Sequence, residues 1–499
     1  MYPINVLQLL KELNDKDICY LHWKSNEHLD EGLSGKTDLD ILIAEEKYDL
    51  FVECLINNNY IKVVSMVWQQ YPYVEDWIGY CNETGVQTHI HLHIRLITGK
   101  PYVKEQYLPF SEMMFNSKRY VFPGVYITDP NLEVIVLLIR TVIKQSSIIP
   151  IANNKYYSFG KNAKTEFEYL KKTLEVEAVR KYATLIFPDN SELLISIIFE
   201  KCSNKRMLRL KRLVIDMFEK DRRYGYMYSC LLSSIRYYYI KIRAYLGIPL
   251  CTKKAIASHK GLIVAFLGVD GSGKTTIAKR ITKDFGWKID FRYFYLGSGD
   301  GSRSILTRVL RRYTVLKRAK RFSNEFHDSA DKQTSLPNLY RGPKGFKLLI
   351  SNIVTVSNAK AKLLACQEMN DLRNKGGIAI TDRYPQLQFS GINDGVHILD
   401  VGVGFLSRIN RMLQKREMNL ISEACRYSPD VVIKLDIPFD VSRARKHDST
   451  DESIKQKINI IKSLNYVGAN EYVVDNTGEL EKTILEVKKI IWKEMKEAK

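Results

Sequence analysis

Leu262-Ile-Val-Ala-Phe-Leu267 runs directly into Gly268-Val-Asp270-Gly271-Ser272-Gly273-Lys274-Thr275-Thr276. The first six residues are all apolar, as a parallel strand buried on both faces requires. The next eight satisfy G-x-x-x-x-G-K-[ST]. Beyond them, Ile277-Ala-Lys-Arg-Ile281 has helical spacing. Strand, glycine-rich loop and helix in that order make a cradle for phosphate. Glycines let the backbone wrap closely, so that its N–H groups and the helix N-terminus face negative charge. Lys274 can then reach the terminal phosphates, and the Thr275 hydroxyl can hold Mg²⁺. A glycine-rich turn without a ligand is a poor alternative, because motif and context agree.

Two more apolar strands end in charge. Gly377-Ile-Ala-Ile-Thr-Asp382-Arg383-Tyr384 closes on an acid and a base, and Pro429-Asp-Val-Val-Ile-Lys-Leu-Asp436 closes on a carboxylate. Asp440-Val-Ser-Arg443-Ala-Arg445-Lys446 is helix-like and dense in cations. Phosphoryl transfer needs positioning and positive charge around the equatorial oxygens, with little covalent work. Arginines on a closing segment supply that charge while excluding water. A solvated helix face is the plain alternative for Arg443 and Arg445.

The loop Phe266 to Thr276, the Asp-Arg-Tyr triplet and the Leu-Asp-Ile-Pro strand resemble the thymidylate kinase family of P-loop nucleoside monophosphate kinases. The resemblance covers residues 260–499. It implies an α/β domain with a five-stranded parallel sheet flanked by helices, ATP and Mg²⁺ as cofactors, and a homodimer. Within it Asp270 would face the acceptor and Arg383 its phosphate. Asp382 would sit near Mg²⁺, directly or through water, and Arg443 and Arg445 would belong to the lid over the γ-phosphate.

One departure bears on the acceptor. The Arg-Glu-Pro element of thymidylate kinases is absent, and the equivalent stretch reads Phe294-Tyr-Leu-Gly-Ser-Gly-Asp-Gly-Ser-Arg303. A basic insertion follows, with Arg308, Arg311, Arg312, Lys317, Arg318, Lys320 and Arg321. Both features argue against dTMP as acceptor. The segment after Arg445 looks more like the branch found in bacterial surface-polysaccharide clusters, which implies a nucleotide or surface-glycan precursor in that place.

In the N-terminal half, Asp38-Leu-Asp40-Ile-Leu-Ile43 puts two acids on alternate strand positions, hence on one face. Such a pair converges on a divalent cation, which relieves their repulsion. Upstream stands Trp23-Lys-Ser25-Asn. A turn, a spacer and Asp-x-Asp together resemble the polymerase-β-type nucleotidyltransferase superfamily, over residues 15–100. The resemblance implies that Asp38 and Asp40 ligate Mg²⁺. Lys24 stands where that family has Gly, and the third carboxylate has no evident counterpart. In its place Thr88-His89-Ile-His91-Leu-His93-Ile-Arg95 sets three imidazoles on one strand face, with His91 at the position of the third acid. Imidazole can ligate a transition metal. The alternative is a polar face hydrogen-bonded to Asp38 and Asp40.

The chain has 499 residues, enough for two to four domains. With 45% hydrophobic and 26% charged residues it is neither disordered nor fibrous. The expected division is a nucleotidyltransferase-like α+β domain at 1–110, a basic helical connecting region at 111–250, and the P-loop domain at 256–499. The expected strands of the first domain lie at 17–22, 38–43, 60–68 and 87–96. Eight scattered Cys without a CxxC pair suit a reducing cytoplasm. No apolar run reaches the roughly 18 residues of a spanning helix, and residues 134–143 are interrupted by Arg140.

Net charge is +20, and residues 201–260 hold fifteen Lys or Arg against three acids. That favours polyanionic partners. For the basic stretch three readings stay open: a solvated helix face, docking on the inner face of an anionic membrane, or nucleic acid. For the whole chain the leading expectation is an ATP-dependent kinase. The alternatives are an Asp38/Asp40 nucleotidyltransferase with the P-loop half as nucleotide sensor, and an adaptor that only binds ATP.

Overall fold

A computed structural model describes residues 2–144, 160–200, 202–247, 253–257, 260–297, 342–391, 394–398, 405–445 and 451–498. The chain divides into two compact units, Met1–Ala257 and Ser258–Lys499. The insertion at 303–321, most of the loop after Phe294, and Lys446 lie outside the described residues.

The first unit is built on strands β1 (Tyr20–His22), β2 (Asp38–Ile43), β3 (Tyr60–Val64), β4 (Val74–Tyr80) and β5 (Gln87–His93). A small pair, β6 (Ile97–Thr98) and β7 (Gln106–Tyr107), stands apart. The chain then adds β8 (Arg119–Val121), β9 (Val125–Ile127) and, much later, β10 (Ala255–Ile256). The main sheet has the order β10-β3-β4-β5-β2-β1-β9-β8. Strand β5 lies parallel to β2 and antiparallel to β4, so Asp40 and Asp76 both stand opposite His91.

Residues 111–250, expected as a connecting region, fall in the same compact unit as residues 1–110. Strands β8 and β9 extend the main sheet beside β1. The helix Pro130–Lys144 buries every residue from Asn131 to Ile143. A helix apolar on all sides has to be surrounded. Helices Lys161–Leu170, Val176–Ile186 and Asn204–Met217 do this, through Phe167, Val179, Met207 and Leu210. The interruption at Arg140 is explained by an ion pair with Glu166 at 2.9 Å. By contrast, the helix Tyr226–Tyr245 leaves much of its surface exposed, including Met227, Leu231, Ile235, Tyr238 and Tyr245.

The same helices shape the first turn of the chain. Ser25 has φ 58°, in the left-handed region. Its N–H donates to Glu166, and the Asn26 side chain donates to Glu133 Oε2 at 2.7 Å. Glu133 is wholly buried beside Glu166, and burial followed by that neighbouring charge pushes its carboxyl up to about 8. One arginine thus serves two carboxyls, and the second stays protonated near neutrality.

The second unit holds five strands, all parallel. They are β11 (Ile263–Leu267), β12 (Phe291–Phe294), β13 (Ile378–Thr381), β14 (Val431–Asp436) and β15 (Asn470–Asp475). Their order is β12-β13-β11-β14-β15. Every residue of β11 is buried, as its all-apolar composition demands. Lys434 on β14 is an exception to the apolar pattern. Its ammonium donates to Leu464 O at 2.6 Å, at the end of helix Asp451–Ser463, and to Glu471 at 2.8 Å. A cation there satisfies carbonyls that a helix end leaves open. The loops at the carboxyl edge of such a sheet are where ligands bind.

Two outcomes test this architecture. A fragment of residues 1–110 should fail to give a cooperative unfolding transition by circular dichroism, while residues 1–257 should give one. Glu133 is neutral in the folded unit and ionised in the unfolded chain above about pH 4.5. Its contribution is complete below that pH and is lost as pH rises towards 8. Wild-type stability should fall by a few kcal/mol over that window, at about 1.4 kcal/mol per pH unit. Glu133→Gln should flatten the slope in urea titrations.

Candidate functional site

Strand β11 ends at the loop that opens helix Lys274–Phe285. The reversal needs two left-handed residues, supplied by Gly271 (φ 83°) and Gly273 (φ 84°). A Cβ on Gly273 would also meet Asn476 Nδ2 at 2.8 Å. That amide donates to Ser272 O at 2.8 Å, bracing the loop from the end of β15. Ser442 Oγ, on helix Phe439–Arg445, donates to Asp270 O at 2.9 Å.

Lys274 folds onto the loop. Its ammonium donates to the carbonyls of Gly268 and Val269, both at 2.8 Å. Desolvation pushes its pKa down to about 8, against the nearby charge of Asp270. Thr275 Oγ1 donates to Asp382 Oδ2. Asp382 is buried, and among the described residues its Oδ1 has no hydrogen-bond partner. The buried Tyr293 hydroxyl lies nearby, raised above its ordinary pKa by burial first and then by Asp382. A hydroxyl and a buried carboxylate meeting at a phosphate loop, with one oxygen to spare, is a donor set suited to Mg²⁺. Thr276 follows on the exposed side of the helix.

Other expected residues take different partners. Asp270 is held by Lys457 at 2.9 Å. Arg383 faces Asp394 at 3.7 Å. Asp394 in turn accepts from Lys362 at 2.7 Å. Arg443 pairs with Asp451 at 3.2 Å, and Arg445 donates to Asn476 O at 3.2 Å. The two arginines expected over the γ-phosphate are thus engaged with their own surroundings. Asp394, Lys362, Lys457 and Asn476 carry no motif, and the sequence reading missed all four.

The first unit carries a second polar cluster. His89 lies between two carboxylates, Nδ1 at 2.7 Å from Asp38 and Nε2 at 3.1 Å from Asp76. His91 Nε2 is 3.0 Å from Asp76, and its Nδ1 is 3.5 Å from Asp40. Lys24 pairs with Asp40 at 2.5 Å, and Lys254 with Asp76 at 2.8 Å. Burial opposes ionisation of Asp40, but Lys24 and two imidazoles outweigh it and hold the carboxyl far below the usual range. For Asp76, burial is outweighed by His89, His91 and Lys254. Burial holds His93 down at about 3. A further carboxylate, Asp76, joins the cluster from β4, a strand the sequence reading did not identify. His91 stands between it and Asp40. Lys24 is the cation that neutralises Asp40.

Compared with protein-family models, the chain matches none. It is 22% identical over 235 residues to the uncharacterized ATP-binding protein YghR of Escherichia coli (strain K12), covering 46% of this chain and 86% of that protein. To the uncharacterized ATP-binding protein YghS of the same strain it is 25% identical over 224 residues, covering 43% and 85%. Among solved structures it is similar to thymidylate kinase from Candida albicans, at 13% identity and a TM-score of 0.27, covering 48% of this chain and 95% of that one. No helix among the described residues is long and apolar enough to cross a membrane.

The contact between Thr275 and Asp382 makes a measurable claim. Thr275→Val and Asp382→Asn should each weaken the Mg²⁺-dependent part of ATP binding about tenfold or more, a loss of roughly 1.4 kcal/mol. The double variant should lose less than the sum, because the two groups touch. Calorimetry with and without EDTA reads both effects.

Proposed function

We propose that the second unit transfers the γ-phosphoryl group of ATP to an acceptor held at the carboxyl edge of its parallel sheet. The observation that carries this reading is the meeting of Lys274, Thr275 and Asp382 at the phosphate loop. The Escherichia coli relatives YghR and YghS, both named as ATP-binding proteins, support the nucleotide.

Thr275 and Asp382 would hold Mg²⁺, which neutralises charge on the phosphates. On binding, Lys274 would exchange its two carbonyl partners for phosphate oxygens. The loop N–H groups would receive the phosphates without reorganisation. The acceptor oxygen attacks the γ-phosphorus, the bond to the β–γ bridging oxygen breaks, and ADP leaves. Arg383 and Lys362, which share Asp394, would be the cations that position an anionic acceptor. The acceptor we favour is a surface-glycan precursor or a nucleotide other than dTMP, since the Arg-Glu-Pro element is missing. The Lys24–Asp40 ion pair argues against nucleotidyl transfer at Asp38 and Asp40, because a fixed ammonium already neutralises one of the two carboxylates.

A transfer assay with γ-labelled ATP, Mg²⁺ and a panel of sugars, sugar phosphates, glycan precursors and nucleoside monophosphates tests the proposal. Label should pass to a surface-glycan precursor or to a nucleotide other than dTMP, with dTMP unreactive. Lys274→Ala should lower kcat/KM by about 10²–10³-fold. Turnover that persists in Lys274→Ala would refute the assignment.

A further inference from the structure

We propose that Asp38, His89 and His91 of the first unit form a binding site for a transition-metal dication, of which Zn²⁺ is the probe. The site does not depend on phosphoryl transfer by the second unit. One ligand atom from each of the three residues lies within 4.8 Å of the others. All three sit on the adjacent parallel strands β2 and β5, where Asp38 stands opposite His89. Sheet register, rather than a loop, sets their spacing, so the ligand atoms are held in place before any ion arrives.

The chemistry of the set favours a transition metal over Mg²⁺. Two imidazoles and one carboxylate suit Zn²⁺ or Mn²⁺, whereas Mg²⁺ prefers an all-oxygen shell. The other two carboxylates are placed as supports. Asp76 lies 3.1 Å from His89 Nε2 and 3.0 Å from His91 Nε2, and Asp40 lies 3.5 Å from His91 Nδ1. A carboxylate on the second nitrogen fixes the tautomer and orientation of a ligating imidazole. Lys24 and Lys254 hold Asp40 and Asp76 in those supporting places. Asp38 is instead set against the two imidazoles, at 2.7 and 3.9 Å.

A second observation points the same way. His93 is buried beside the cluster, and among the described residues neither of its ring nitrogens makes a hydrogen bond. Its Nε2 lies 3.4 Å from Asp40 Oδ1, the oxygen that Lys24 already pairs at 2.5 Å. Polar groups sealed away like this are satisfied by a partner in nearly all folded proteins. His89 is fully buried, while His91 and Asp38 keep 26% and 27% of their side-chain surface. Three protein ligands, two of them partly exposed, match sites that keep a coordination position for water or substrate.

The test uses the full chain stripped with EDTA. Wild type should take up one equivalent of Zn²⁺ by calorimetry, and Co²⁺ should give a visible d–d absorption band. Asp38→Asn and His91→Gln keep side-chain size and alter a partly exposed position. Each should weaken Zn²⁺ binding at least tenfold and remove the Co²⁺ band, while circular dichroism stays unchanged. Millimolar Mg²⁺ should not displace the ion. The proposal is overturned if both variants retain wild-type affinity, if the Co²⁺ spectrum shows thiolate charge transfer, or if wild type binds Zn²⁺ more weakly than about 100 µM.

Discussion

An ionised group taken out of water has to be compensated by its immediate neighbours, because the interior does not screen it. Both polar centres of this protein are solutions to that constraint. In the second unit, Asp382 is buried at the end of β13 and leans on the Thr275 hydroxyl. Lys274 rests on two backbone carbonyls. Among the described residues, Asp382 keeps one oxygen without a hydrogen-bond partner. A loop prepared in this way gains from ligand binding what a fully paired network could not.

The first unit meets the same constraint by the opposite route. Three carboxylates are gathered beneath one sheet face, and lysines and imidazoles are threaded between them. The gathering depends on the helical part of the unit. Glu133 and Glu166 hold the turn at Ser25 and Asn26, and that turn carries Lys24 to Asp40. A buried charge network in the helices thus sets the charge balance of the sheet. Residues on both sides of 110 thus share one compact unit.

Much of the second unit was legible in the chain itself. The all-apolar run of β11, the phosphate loop and the two later strands that end in acids needed no tertiary information. The first unit was harder. The stretch Val74-Glu-Asp-Trp-Ile-Gly-Tyr80 places two acids side by side, which breaks the alternation by which a half-buried strand is recognised. The strand was missed, and the carboxylate it carries was missed with it. Helix Pro130–Lys144 was readable as apolar but not as the centre of a bundle, since the helices that cover it come from up to 80 residues further on. Asp394 and Lys362 meet across 32 residues and share no motif.

By itself, then, the sequence determined whatever depends on neighbours along the chain. That includes the strand–loop–helix phosphate cradle, the same-face pairing of Asp38 with Asp40, and the single-face stripe of three histidines. Each follows from the fixed period of a strand or from the conformational freedom of glycine, both local properties. Tertiary structure decided which charge meets which. Thr275 finds Asp382 from 107 residues away, and Lys254 reaches Asp76 from 178. Strand register and helix packing set those meetings through hydrogen bonds and contacts distant in sequence, and no local period encodes them.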